Sequence, residues 1–180
     1  MMKFIFYILC FALIGCGVQQ SKVLFKKETK FALGQDTVKF DEINYYKLDK
    51  YFDEFYLINH HKSPKRNAIY DIVYGNMPRN VSDTLFVKDL EKYHYHQTHL
   101  ETSRYQEIAK IYAYGSKRYD VACKVTFRDI LVFKNKNRIV GISKICFGCE
   151  WETTFFNENR YYNLVSIDKF DELENLLNPN

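Results

Sequence analysis

The chain has 180 residues, of which 47% are hydrophobic and 17% aromatic, and its formal net charge is +4. This length suits one domain with a sizeable core. The net charge is small, and Lys alternates with Asp and Glu along the sequence. This pattern does not predict a basic surface that would bind nucleic acid, and we expect no such partner. Seven glycines, and no G-x-S-x-G, H-E-x-x-H or phosphate-loop motif, favour a non-enzymatic protein without a cofactor.

The N-terminus has the pattern of a bacterial export signal. Lys3 supplies a positive charge, and Phe4 to Ile14 is an apolar run that is too short to span a bilayer. The sequence Leu13-Ile14-Gly15-Cys16 resembles a lipobox, at which a signal peptidase cuts before the cysteine and the thiol carries diacylglycerol. An ordinary secretory signal and an uncleaved anchor are the alternatives. We therefore expect removal of residues 1–15 and lipidation of Cys16.

Lipidation determines the predicted location and domain organisation. The acyl chains on Cys16 would tie the protein to a membrane, and the bacterial outer membrane is the predicted site. No acidic run of the kind associated with surface export follows Cys16, which favours the periplasmic side. Residues 16–40 are then a tether and a first strand, and residues 41–180 form a single α+β domain.

Three elements are predicted between residues 48 and 93. Apolar residues recur at helical spacing from Leu48 to Tyr56 and indicate a helix. Ala68 to Tyr74 has the composition of a strand. Ser82 or Asp83 is placed to cap a short helix that continues to Tyr93.

The chain has one histidine cluster, formed by His94, His96 and His99. On a strand the first two would share a face, and on a helix the last two would. Imidazoles at these spacings can bind zinc or copper. No carboxylate stands at a matching spacing, so the alternative of solvated histidines in a loop is favoured.

Two helices are predicted to cover one face of a sheet. Ser103 and Gln106 have the spacing of a capping box at the start of a helix near residues 104–114. A last helix near residues 168–177 ends before Pro179. Between them, residues 124–147 are rich in β-branched and aromatic residues and contain the polar break Lys134 to Asn137, which predicts a central antiparallel hairpin.

The predicted hairpin gathers three cysteines at its open end. A turn at Asn135-Lys136 would place Leu131 opposite Val140 and Cys123 diagonal to Cys146; a slip of one residue would face Cys123 toward Cys149. A cross-strand disulfide with one thiol left over is the favoured interpretation. A structural metal site and a thioredoxin-type redox pair are the alternatives, although export disfavours reduced thiols.

The cysteines and their neighbours carry a resemblance. Cys123, the strand Ile130-Leu-Val-Phe133, Val140-Gly-Ile142 and the ending Ile145-Cys-Phe-Gly-Cys149 resemble a group of small lipoproteins and secreted proteins of Bacteroidota. Members of this group share a strand, a turn and an I-C-F-x-C ending, and no activity is known for them. The resemblance covers the last third of the chain and implies a fold and a cell-envelope location.

Together these features predict a lipid-anchored envelope protein that acts by interaction, with a protein or a glycan as its partner. A metal- or thiol-handling lipoprotein is the main alternative. A third hypothesis is an immunity protein that neutralises the toxin of a competitor.

Overall fold

The computed structural model describes residues 28–33, 36–49, 64–113 and 122–178. The strands within these ranges are β1 (Thr29–Leu33), β2 (Asp36–Phe40), β3 (Glu42–Leu48), β4 (Tyr95–His99), β5 (Asp129–Asn135), β6 (Arg138–Cys146), β7 (Trp151–Phe156) and β8 (Asn159–Tyr162). The α-helices are α1 (Pro64–Val73), α2 (Thr84–Asp89), α3 (Tyr105–Ala113) and α4 (Phe170–Leu177).

The strands form two antiparallel sheets. Six strands pair in the order β4-β3-β5-β6-β7-β8, and β1 pairs with β2 as a separate hairpin. The β5–β6 hairpin lies at the centre of the larger sheet, with one pair of strands outside each arm. This confirms the predicted α+β class and the central hairpin.

The predicted register of the hairpin is wrong by three residues. The turn residues are Lys136 and Asn137, both with positive φ (48° and 64°), so Asn135 lies opposite Arg138. Asparagine tolerates this left-handed conformation, but both turns pair Lys136 with an asparagine, so this preference alone does not choose between them. A bulge between Phe133 and Lys134 adds one more residue, and Leu131 consequently lies opposite Ser143 rather than Val140.

Both faces of the central sheet are buried. The side chains of Leu131 and Phe133 pack on one face with β1, β2, α3 and α4. Those of Ile130 and Val132 pack on the other face with α1 and α2. The two helices predicted to share a face therefore do so, and a further helical layer covers the opposite face.

The segment Ala68 to Val73 is helical and Tyr74 follows it as a turn residue, which contradicts the predicted strand. Helix α1 begins at Pro64, whose fixed φ suits the first turn of a helix. Its buried residues Ile69, Ile72 and Val73 have i, i+3, i+4 spacing and pack under the sheet. Tertiary packing thus outweighs the strand preference of these β-branched residues.

Other predicted elements are found with altered ends. Leu48 ends β3, and residues 50–56 of the predicted 48–56 helix lie outside the described residues. Asp83 stands at the N-cap of α2 without a side-chain capping hydrogen bond. The Ser103 hydroxyl donates to the Glu101 carboxylate instead of forming the predicted capping box. Among the described residues, no helix is long and apolar enough to cross a membrane.

Candidate functional site

The open end of the β5–β6 hairpin brings the three cysteines together, as predicted. Cys123 and Cys149 form a disulfide with their Cα atoms 6.2 Å apart. Cys146 is a free thiol, only 6% exposed, and its Sγ accepts a hydrogen bond from the Thr126 backbone N–H at 3.4 Å. The sequence left the pairing open, and the structure resolves it in favour of one disulfide and one buried thiol.

The disulfide joins two segments that are not paired strands. β5 begins only at Asp129, so Cys123 lies in an irregular segment that is attached to α1 by the hydrogen bond from the Phe127 N–H to the Val73 carbonyl. After Cys146 the chain leaves β6 in a single 3-10 turn, Phe147–Cys149. That turn contains Gly148, and it directs Cys149 toward Cys123.

A cavity of about 700 Å³ lies beside the disulfide, and we call it the sulfur-end cavity. Its walls combine cationic, anionic, aromatic and sulfur-containing side chains. They are Lys47, Leu48, Lys124, Thr126, Arg128, Asp129, Cys146, Phe147, Gly148, Cys149 and Glu174. Because it presents donors and acceptors beside a ring, this cavity is suited to a polar ligand with some apolar surface.

Asp129 is the most deeply buried charged residue in the wall of the sulfur-end cavity. It is 5% exposed and accepts a 2.5 Å hydrogen bond from the Tyr45 hydroxyl. Burial raises the pKa of Asp129, and the Tyr45 hydrogen bond and the Lys47 charge offset part of that rise. The Lys47 amine donates to the Asn178 side chain at 2.6 Å, which ties this wall to the end of α4.

The alternative of a metal site is not supported by this arrangement. Two of the three thiols are consumed by the disulfide, and no group of three possible ligands occurs among the described residues. His96 and His99 are three positions apart on the edge strand β4 and so point to opposite faces, while His94 precedes that strand. His96 lies 3.5 Å from Asp49, a carboxylate distant in sequence.

A nucleophilic pair of Cys149 with His96 or His99 is not formed either. Cys149 is bonded to Cys123 and has no free thiol. The histidines lie on β4, three strands away from β6 in the sheet.

A second cavity, of about 780 Å³, lies at the opposite end of the hairpin. Val87, Ile139 and Val140 supply apolar surface, and Lys88, Lys134 and Arg138 supply cations. Lys134 pairs with Glu42 at 3.2 Å, whereas Lys88 and Arg138 form no ion pair with another described residue. We call the region formed by this cavity, the β5–β6 turn and α2 the turn end of the domain.

Two ionisable side chains are buried at positions that the sequence does not indicate. Glu152 is fully buried on β7, and Lys144 is 2% exposed on β6. Burial raises the pKa of Glu152 to about 7 and lowers the pKa of Lys144 to about 7. Their burial arises from layers packed from distant parts of the chain, which no local pattern in β6 or β7 shows.

Comparisons with protein-family models, curated proteins and solved structures found no match to this chain. The resemblance to Bacteroidota lipoproteins therefore stays a prediction.

Proposed function

We propose that the protein is a lipid-anchored component of the bacterial cell envelope that binds a partner at its sulfur-end cavity, without catalysis. Cys16 carries the lipid in this proposal, and the described domain is the binding module. A protein or a glycan is the partner class. The outer membrane, on its periplasmic side, is the proposed location.

The disulfide between Cys123 and Cys149 is the observation that carries the proposal. Structural disulfides persist in oxidising compartments such as the periplasm and are rare in the cytosol. The lipobox-like sequence that ends at Cys16 independently points to export. Two unrelated features of the chain thus support the same location.

The position of the cavities supports a binding role, because they lie at the ends of the central hairpin. Packed layers cover both faces of the central sheet, so a ligand can approach that sheet only at its ends and edges. At the sulfur end, the disulfide fixes the rim formed by the 122–128 segment against the 147–149 turn. A rim held in place before binding lowers the ordering cost that association imposes.

Metabolic labelling with an alkyne fatty acid tests the anchor. The wild-type chain should be labelled, and the Cys16→Ser variant should lose the label because its thiol is gone. Cys10→Ser is a matched control, since Cys10 lies in the same N-terminal segment and should not be needed for labelling. Labelling that persists in Cys16→Ser, or that is absent from the wild type, contradicts the anchor.

Site-specific photo-crosslinking in intact cells tests the binding cavity. Gly148 is exposed, and a Cβ atom added there would meet nothing within 4 Å, so a photoreactive residue fits. We expect one discrete adduct from position 148 and none from the control position Lys110, which is exposed on α3. Equal adducts at both positions, or none at 148, would contradict partner binding at this cavity.

Thiol handling remains a second candidate because Cys146 and the disulfide line one cavity. In that role Cys146 would exchange with the disulfide, and a glutathione redox buffer should shift the native linkage. Under the binding proposal, the Cys123–Cys149 linkage persists in such a buffer. Peptide mapping after acid quenching distinguishes the two outcomes.

A further inference from the structure

We propose that the ligand of the sulfur-end cavity is a neutral saccharide, whose hydroxyl groups bind the carboxylates and cations of the cavity wall. This inference rests on the binding function proposed above and narrows its partner, a protein or a glycan, to the second class. The open hydrogen-bonding groups of the wall, the balance of its charges and the spacing of its side chains carry the inference.

The cavity wall contains carboxylate oxygens to which no described residue donates. Asp129 is 5% exposed, and its Oδ1 atom accepts from the Tyr45 hydroxyl, whereas Oδ2 receives no hydrogen bond from the described residues. Glu174 is exposed on α4, and its carboxylate likewise has no donor among them. Because a buried acceptor without a donor costs free energy, a ligand that donates to Asp129 is favoured.

Two cations of the wall are held in place by hydrogen bonds within the protein. The Lys47 amine donates to the Asn178 side chain at 2.6 Å, and the Arg128 guanidinium donates to the Asp49 carbonyl at 2.9 Å. A lysine ammonium has three N–H donors and an arginine has five, so each keeps donors for a ligand. The wall therefore offers fixed donors as well as open acceptors.

The charges of the wall nearly cancel. Lys47, Lys124 and Arg128 are cationic, and Asp129 and Glu174 are anionic. A cationic ligand would be repelled by the first group and an anionic ligand by the second, so neither sign is favoured. A neutral ligand that carries many donors and acceptors satisfies both groups without the cost of desolvating a charge of its own.

The arrangement of Lys47 and Asp129 favours hydroxyl groups over the amide groups of a peptide. The two residues are directly opposite each other on β3 and β5, so their side chains leave the same face of the sheet as neighbours. A hydroxyl oxygen can donate to the carboxylate and accept from the amine at one atom, whereas an amide separates its donor from its acceptor. A polyhydroxylated ligand therefore fits this pair better than a peptide does.

The cavity also provides the size and the apolar surface that a sugar ring needs. Its volume of about 700 Å³ lies within the range of about 300–1,000 Å³ that is usual for small-ligand sites. Phe147 in the same wall supplies an aromatic ring against which the C–H groups of a sugar can pack. A short oligosaccharide meets both conditions.

The adduct formed by photo-crosslinking at position 148 identifies the chemical class of the ligand. Cells that carry the full-length chain with a photoreactive residue at Gly148 are irradiated, and the peptide that contains this position is fragmented by mass spectrometry. We expect oxonium ions of hexose or N-acetylhexosamine. An adduct without ions of neutral sugars, such as one that yields peptide fragments, overturns the saccharide and leaves partner binding intact. The absence of any adduct at 148 overturns both.

Substitutions in the wall test the contacts. Glu174→Gln should lower the yield of the adduct at least threefold, because the amide replaces an acceptor oxygen with a donor. Glu172→Gln is the matched control, since Glu172 is on the same helix but outside the cavity wall, and it should not change the yield. Asp129→Asn keeps an oxygen for the Tyr45 hydroxyl and should lower the yield at least as much as Glu174→Gln does.

Thermal unfolding of the variants separates a lost contact from a lost fold. Glu174 is exposed, so Glu174→Gln should unfold at the temperature of the wild type and decides the test even if Asp129→Asn is unstable. A wild-type yield of the adduct in folded Glu174→Gln, or an equal loss in Glu172→Gln, overturns the proposed recognition of the saccharide.

Discussion

Glu152 shows how one buried group can couple stability to pH. Its carboxylate accepts hydrogen bonds from the backbone N–H groups of Leu164 and Val165 and from the Thr154 hydroxyl. These bonds favour the charged form, but burial dominates and raises its pKa from 4.5 to about 7. The fold therefore stabilises the neutral acid.

We predict that Glu152→Gln removes a fall in stability between pH 4.5 and 7. In that window the folded chain keeps the proton that the unfolded chain releases, so stability falls as pH rises. Glutamine stays neutral and can still accept from the two backbone N–H groups. Urea unfolding of both proteins at several pH values measures the difference, and parallel profiles would contradict the prediction.

Lys144 makes stability depend on pH in the opposite direction to Glu152. Its amine donates to the carbonyls of Gly75 and Met77 at 2.9 Å and lies 4.3 Å from the centre of the Phe127 ring. Burial, with help from Arg160, lowers its pKa from 10.5 to about 7. Between these values the unfolded chain binds a proton that the folded chain does not, so stability rises with pH.

For Lys144→Met we predict lower stability and the loss of that rise. Methionine fills the apolar stem but leaves two carbonyls without their donor, at a cost of about 1–3 kcal/mol each. The difference in unfolding free energy between variant and wild type, followed from pH 7 to 10, isolates this residue because the other titrations cancel. A constant difference would rule out a lowered pKa.

Gly141 is needed for a close approach between β6 and β7. A Cβ atom there would lie 2.2 Å from the Phe156 ring, which itself packs against Phe133. We predict that Gly141→Ala destabilises the fold by about 1–3 kcal/mol through overpacking. Gly148→Ala is the matched control and should change stability by less than about 0.5 kcal/mol. If the two variants have the same denaturation midpoint, the Phe156 ring moves aside without cost and the prediction is wrong.

At the scale of elements, the disulfide holds the irregular 122–128 segment to the end of β6. It closes a loop over a sequence separation of 26 residues, which predicts a contribution of about 3 kcal/mol. We expect Cys123→Ala with Cys149→Ala to lose that amount. Reductant should lower the stability of the wild type and of Cys146→Ala but not that of the double variant. A double variant as stable as the wild type would contradict a structural role.

Local sequence patterns predicted those elements in which the intrinsic helix or strand preference of the residues agrees with their packing in the fold. β5 and β6 are β-branched and aromatic, and α3 and α4 carry one apolar face, so their existence was foreseen. Ala68 to Tyr74 was misread because β-branched residues at i, i+3, i+4 spacing satisfy both patterns, and only packing against the sheet decides. The bulge between Phe133 and Lys134 has no recognisable signal in the sequence, and it shifts the pairing of β5 with β6 by one residue.

The candidate site was predicted in part for the same reason. The cysteines are close in sequence to the hairpin ends, so their meeting follows from local pairing. The Tyr45–Asp129 hydrogen bond joins residues 84 positions apart, and the sequence pattern of neither strand predicts it. Which thiol stays free likewise depends on the turn at residues 147–149, which forms outside the strand register.

At the level of the whole molecule, the two ends of the β5–β6 hairpin present different surfaces. The turn end lies beside Glu28, the first described residue, and carries charges of both signs, whereas the sulfur end presents a mixed-charge cavity beside the disulfide. Both ends are held by the same central strands. A partner bound at the sulfur end would thus lie at the opposite end of the hairpin from the point where the described chain enters the domain.

The most direct measurement is a map of the cysteines in protein isolated from cells. Native alkylation, proteolysis without reductant and mass spectrometry assign each sulfur. We expect a linked Cys123–Cys149 peptide, and a Cys146 that is alkylated only after unfolding. A linkage that contains Cys146, or three thiols that are all free, would contradict this assignment.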